Sequence, residues 1–91
     1  VACNLYRFAT EAIAKNKPLE TAIEYIDIGG VTLLRAAAKN FSHVTILTDP
    51  SDYSKTVEFL KEGVIPKEFK AKMAEKAFNL VSSYDNDIAD Y

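Results

Sequence analysis

Two adjacent glycines placed directly before a helix-forming run constrain this chain more than any other feature. In Ile26-Asp27-Ile28-Gly29-Gly30-Val31-Thr32-Leu33-Leu34-Arg35-Ala36-Ala37-Ala38-Lys39-Asn40, fifteen residues hold one carboxylate, the glycine pair, an Ala/Leu-rich run and two cations. Glycine permits backbone conformations closed to other residues and removes side chains that would block a ligand. The run from Val31 to Lys39 is composed of good helix formers. A di-glycine turn opening a helix exposes unpaired N–H groups at the positive end of the helix dipole, a place for an anion or a developing negative charge. Asp27 lies just before that mouth, and Lys39 at the far end of the run. By local physics alone the stretch is either such a site or a tight packing turn.

Ninety-one residues allow one small domain. At that length about two-thirds of the extended-chain surface can be buried, so stability is marginal without help. Cys3 is the only cysteine, so no intrachain disulfide can supply that help. A lone cysteine fits a reducing compartment such as the cytoplasm. The net charge of −2 and pI near 5.3 argue against a nucleic-acid footprint. No apolar run approaches the roughly 20 residues that span a bilayer, so no membrane partner is expected. The chain opens on Val, and its first residues already read as a buried strand, which suggests a fragment or a processed chain.

Val1-Ala2-Cys3-Asn4-Leu5-Tyr6 is a short apolar run that reads as a strand covered on both faces. Residues 8–15 suit a short helix, ended by Asn16-Lys17-Pro18. Pro18 opens another, in which Leu19, Ala22, Ile23 and Ile26 recur at helical spacing. In the next helix Leu33, Leu34, Ala37 and Ala38 supply a core face, Arg35 and Lys39 stand four apart on another, and Asn40 ends it. Val44-Thr45-Ile46-Leu47-Thr48 reads as a second strand. Asp49-Pro50-Ser51 is a turn, with Ser51 as N-cap of a helix from about Asp52 to Glu62 whose inner stripe is Tyr53, Val57 and Leu60. Gly63 ends that helix and Pro66 opens the last, to about residue 88. Its stripe is Phe69, Met73, Ala77, Leu80, Tyr84 and Ile88, widened by Ala74, Phe78 and Val81.

Two strands separated by helices are expected to be parallel neighbours joined by a right-handed crossover. The expectation is an α/β fold: part of a three-layer parallel-sheet domain, with two parallel strands and about five helices in this chain. The last helix is too long and apolar to serve two short strands alone, so it is expected to pack on further parts of the domain or on a second subunit.

The segments Val1 to Tyr6 and Ile26 to Asn40, and the spacing between them, resemble the inosine monophosphate cyclohydrolase domain of the bifunctional purine-biosynthesis enzyme. Val44 to Thr48, Asp52-Tyr53, Lys76-Ala77-Phe78, and Tyr84-Asp85 through Asp90-Tyr91 extend the likeness more loosely. The resemblance implies a methylglyoxal-synthase-like domain, of which residues 1–91 match the C-terminal half. The family's first half carries phosphate-binding loops with serine, lysine and threonine and one more active-site lysine; neither these nor the transformylase domain is present. The family usually has proline after the tyrosine, and here Arg7 stands in that place.

The implied reaction closes the purine ring. The carboxamide nitrogen of a formamido-imidazole ribonucleotide attacks the formyl carbon, and water leaves to give inosine monophosphate. By resemblance, Lys39 is the acid/base residue, Asp27 holds or deprotonates the carboxamide, and Tyr6 assists by a hydrogen bond. Asn4, Leu5, Asp27 and Ile28 line the nucleotide pocket, with Gly29 and Gly30 at the helix mouth. The partners implied are a purine nucleotide, the other half of the domain and a second copy in a homodimer. No metal or organic cofactor is implied, and the compartment implied is cytoplasmic.

The rival reading is a non-catalytic module of the same fold that binds a phosphorylated metabolite or dimerises. Arg35 reads as a solvated cation, an ion-pair partner or a secondary ligand contact. Cys3 reads as a small core residue. His43 has no paired nucleophile, and Asp85, Asp87 and Asp90 lack a calcium-loop pattern.

Overall fold

The structure is a computed structural model that describes residues 1–5 and 8–91. Its elements are helical. A π-type turn at Ala9–Ile13 leads to the short helix α1 (Leu19–Ala22), which tightens into a 3₁₀ turn at Ile23–Tyr25. Helix α2 (Gly29–Lys39) follows, then a 3₁₀ turn at Pro50–Asp52, helix α3 (Tyr53–Glu62) and helix α4 (Lys67–Asp90).

The described residues do not form the expected parallel sheet. Among the described residues the two apolar runs meet at a single parallel bridge, Ala2 to Leu47. The Cys3 N–H donates to the Leu47 carbonyl at 2.9 Å, and the Leu47 N–H to the Val1 carbonyl at 2.7 Å. The Val1 nitrogen adds a bond to the Thr45 carbonyl at 2.8 Å. A ladder needs successive pairings and further strands to satisfy its outer edges, and an isolated two-stranded pair is marginal in water. The β-branched pattern of Val44 to Thr48 therefore makes an extended segment rather than a strand, and the fold is helical rather than α/β.

Helix ends follow local chemistry. Pro66 precedes α4, whose first turn lacks nothing by the missing proline N–H. Gly63 closes α3 at φ +93°, a left-handed conformation that favours glycine. The turn before α3 is held by Asp49, whose carboxylate accepts the Ser51 N–H at 2.9 Å, so Asp49 and not Ser51 does the capping. That bond holds the Asp49 carboxyl below its ordinary range. Lys76 on α4 ties this corner down, at 2.5 Å from Asp52 and 3.6 Å from Asp49.

The main core lies between α2 and α4. Leu34, Ala37 and Ala38 pack with Ile46, Leu47, Met73, Ala74, Ala77 and Val81. Small alanines on both helices allow close approach, and Leu34 and Ile46 are the largest fully buried side chains among the described residues. A second cluster of Phe8, Ala12, Ala22 and Tyr84 joins the N-terminal helical turns to the far half of α4. Some residues expected on inner faces turn outward: Leu33 on α2, and Val57 and Leu60 on α3, are exposed, whereas Tyr53 packs on the core and the buried residue of α3 is Thr56. Helix α4 outruns its partners, and the radius of gyration is 15.0 Å, against about 12 Å for a compact chain of this length.

Candidate functional site

Asp27 stands in the short link between the 3₁₀ turn and α2, and its carboxylate folds back onto the helix. Its Oδ1 accepts the Gly30 N–H at 2.6 Å. This is the bond a capping residue makes three positions ahead of itself, and it satisfies one of the helix's unpaired donors. Thr32 sits on the next turn, and its hydroxyl donates to the Ile28 carbonyl at 3.0 Å.

The glycine pair works differently from the sequence expectation. Neither Gly29 nor Gly30 has a positive φ; both lie within α2. A Cβ on Gly29 would meet nothing within 4 Å, whereas one on Gly30 would stand 2.6 Å from Asp27 Oδ2 and 2.8 Å from Oδ1. Gly30 is thus required for close approach of the carboxylate, not for backbone freedom. The chain's own Asp27 takes the Gly30 donor that a bound anion would otherwise use.

A phenol fixes this link from behind. Tyr84, buried on α4, accepts the Asp27 N–H at 2.8 Å and donates to the Tyr25 carbonyl at 3.0 Å. Burial pushes the Tyr84 phenol above its ordinary range, so it stays protonated and able to donate at neutral pH. Lys17 completes the support by donating to the Tyr25 hydroxyl at 3.1 Å.

Lys39 is at the other end of α2, about 15 Å along the axis from Gly29. It is exposed and lines a groove of about 390 Å³ with Thr32, Arg35, Ala36 and Phe78. These α2 residues share one face at steps of three and four, so the groove runs from Lys39 back toward the helix mouth. The Arg35 guanidinium lies 5.8 Å from the centre of the Phe78 ring, close enough for a cation–π contact. A second groove of about 430 Å³, at Thr48, Asp49, Pro50, Lys76, Asn79 and Leu80, includes none of the expected site residues.

The structure therefore brings Asp27, Ile28, Gly29 and Gly30 together at one end of α2 and leaves Lys39 at the other. Asn4 is exposed and Leu5 packs against both core clusters. Tyr6, expected to assist, lies outside the described residues. Sequence reasoning missed Tyr84, Phe78 and Thr32. A phenol in an otherwise apolar stripe was the available signal for Tyr84, because a buried tyrosine hydroxyl demands a partner. Among the described residues no group of three or more His, Cys, Asp or Glu is arranged to hold a metal, and no helix is long and apolar enough to cross a membrane.

Residues 37–91 match the family model of the AICARFT/IMPCHase bienzyme. The whole chain is similar to bifunctional purine biosynthesis proteins PurH: 46% identical over 92 residues to that of Clostridium kluyveri, and 48% over 93 residues to that of Rippkaea orientalis. The Thermosynechococcus vestitus protein is 48% identical over 92 residues. In each case the match covers 100% of this chain and 18% of the relative, so the chain spans under a fifth of their length.

Proposed function

Because the chain belongs to the AICARFT/IMPCHase bienzyme family, we propose that it forms one wall of an inosine monophosphate cyclohydrolase site, acting together with the remainder of that unit. The observation that carries this reading is the 46–48% identity along the full chain, which spans the Asp27-to-Lys39 block. Its substrate is a formamido-imidazole-carboxamide ribonucleotide lying along the Thr32–Arg35–Lys39 face of α2. Ring closure needs a proton taken from the carboxamide nitrogen, a proton given to the departing formyl oxygen, and support for the tetrahedral oxyanion between them.

Asp27 is assigned to holding the carboxamide at the helix mouth, since its carboxylate is already fixed there by Gly30. Lys39 is assigned to proton transfer at the formyl oxygen. Helical side chains lean toward the N-terminus, so the four-carbon stem of Lys39 can carry its ammonium back along the groove. The substrate's reacting groups then sit between the two residues. Tyr6, Asn4, Leu5 and Ile28 are assigned to the nucleotide contacts, Tyr6 with a hydrogen bond to the reacting groups. The exposed Leu33, Val57, Leu60 and Val64 offer apolar surface to the rest of the unit or to a second copy.

The test is a chimera: the Clostridium kluyveri protein with its matched 92 residues exchanged for this chain. Cyclisation of the formamido ribonucleotide is expected, with Lys39→Ala lowering turnover far more than nucleotide binding. A cooperative thermal unfolding transition of the cyclohydrolase unit, together with nucleotide binding, reports that the chimera is folded there. A folded chimera without cyclisation, or one whose Lys39→Ala variant keeps near-full turnover, refutes the assignment.

The rival reading, a module that binds a phosphorylated metabolite without turning it over, draws on the separation of Asp27 and Lys39 by the length of α2. It requires the chimera to bind nucleotide and leave it unchanged.

A further inference from the structure

The backbone that carries Asp27 is fixed from a distant part of the chain. Tyr84 is 57 residues further on, yet its hydroxyl accepts the Asp27 N–H at 2.8 Å and donates to the Tyr25 carbonyl at 3.0 Å. One oxygen thus clamps the peptide groups on either side of Ile26. The ring is buried in one cluster with Phe8, Ala12 and Ala22, away from the link that its hydroxyl holds. The carboxylate is locked in turn by the Gly30 N–H at 2.6 Å. The main chain of Asp27 is therefore held from α4, and its carboxylate bonds to α2.

We propose that Tyr84 is a positioning residue of the cyclohydrolase site, clamping the Tyr25–Asp27 backbone so that the Asp27 carboxylate meets the substrate carboxamide in one orientation. This rests on the assignment of Asp27 to the substrate. Tyr84 touches no substrate; it acts through Asp27. Pre-organised groups spare a reaction the cost of ordering them, and a small misplacement of a reacting group is expensive in rate.

The experiment uses the chimera with Tyr84→Phe, Asp27→Asn, the double variant and Val81→Ala. Val81 is buried on the same helix and contributes packing alone, so its truncation lowers stability without loosening the clamp. Tyr84→Phe, which removes both hydrogen bonds of the clamp, is expected to lower kcat/KM for cyclisation about tenfold, while transformylase activity is unchanged. Asp27→Asn is expected to lower it further. The double variant should be no slower than Asp27→Asn alone, because the group being positioned is already gone. Val81→Ala should reduce the unfolding temperature while keeping kcat/KM within twofold.

Three results overturn the inference: Tyr84→Phe within twofold of the parent, losses from Tyr84→Phe and Asp27→Asn that multiply, or an equal loss in Val81→Ala. If Asp27→Asn and Lys39→Ala are both silent, the functional assignment itself falls and takes the inference with it. If those two are deleterious and only Tyr84→Phe is silent, the inference alone falls.

Discussion

Asp27, in the link just ahead of the eleven-residue helix α2, and Lys39, its last residue, stand at opposite ends of that helix, with the carboxylate bonded to the Gly30 N–H and the ammonium exposed in a groove beside Phe78. A shared role therefore depends on a substrate that lies between them, and each residue should leave a different kinetic mark. Lys39→Arg separates charge from proton transfer, because guanidinium keeps the charge and does not deprotonate. In the chimera it is expected to lower kcat by about 10²–10⁴ with nucleotide binding little changed. Near-parent turnover in Lys39→Arg would leave Lys39 with an electrostatic role only.

The two glycines should respond in opposite ways to the same substitution. Gly30→Ala places a methyl group 2.6 Å from the Asp27 carboxylate. The carboxylate must swing away and surrender the Gly30 N–H, at a cost of about 0.5–2 kcal/mol for the lost cap. Gly29→Ala meets nothing and replaces a poor helix former with the best, so stability should hold or rise by up to about 1 kcal/mol. Chemical denaturation of the two variants decides it. A Gly29→Ala variant as damaged as Gly30→Ala would return the pair to the ligand-mouth role expected from sequence.

Alkaline pH should loosen the Tyr84 clamp. Burial raises the folded-state pKa of Tyr84 above its unfolded value near 10. The folded chain then holds that proton more tightly than the unfolded chain. The associated stability is present in full below about pH 10 and is lost as the pH climbs through the raised folded value. Tyr84→Phe removes the titrating group, so its unfolding free energy should fall less between pH 9 and pH 11 than that of the parent. Parallel slopes for the two proteins over that range would show that the Tyr84 proton is not linked to folding.

The 91-residue chain by itself is expected to be loosely folded or self-associated, and inactive. Ile28, Leu33, Val57, Leu60 and Val64 are all 46% or more exposed, and the main core is a single contact layer between α2 and α4. Sedimentation velocity together with thermal unfolding tests this. A sharp monomeric transition accompanied by cyclisation activity would contradict it.

Much of the helical framework was legible because its signals are local. Pro18 and Pro66 mark helix starts, Asn40 and Gly63 mark ends, and the alanine-rich face of α2 marks the core. The expected sheet was not, since β-branched residues in Val44 to Thr48 state a preference that only neighbouring strands could satisfy, and the described residues provide one bridge. The same limit misplaced Leu33, Val57 and Leu60. Periodicity finds a stripe but does not say which neighbour covers it, and here Phe69 meets Phe59 while Val57 and Leu60 stay in water.

The site divides the same way. The sequence alone determined that a carboxylate, two glycines, a helix and a terminal lysine follow one another, because covalent order and helix propensity act over a few residues. It also carried the family likeness in that block. Only the tertiary structure decided what Gly30 is for. Steric space around Gly30 is set by where Asp27 turns, and Asp27 is held there by Tyr84, a partner 57 residues away that no local pattern could name.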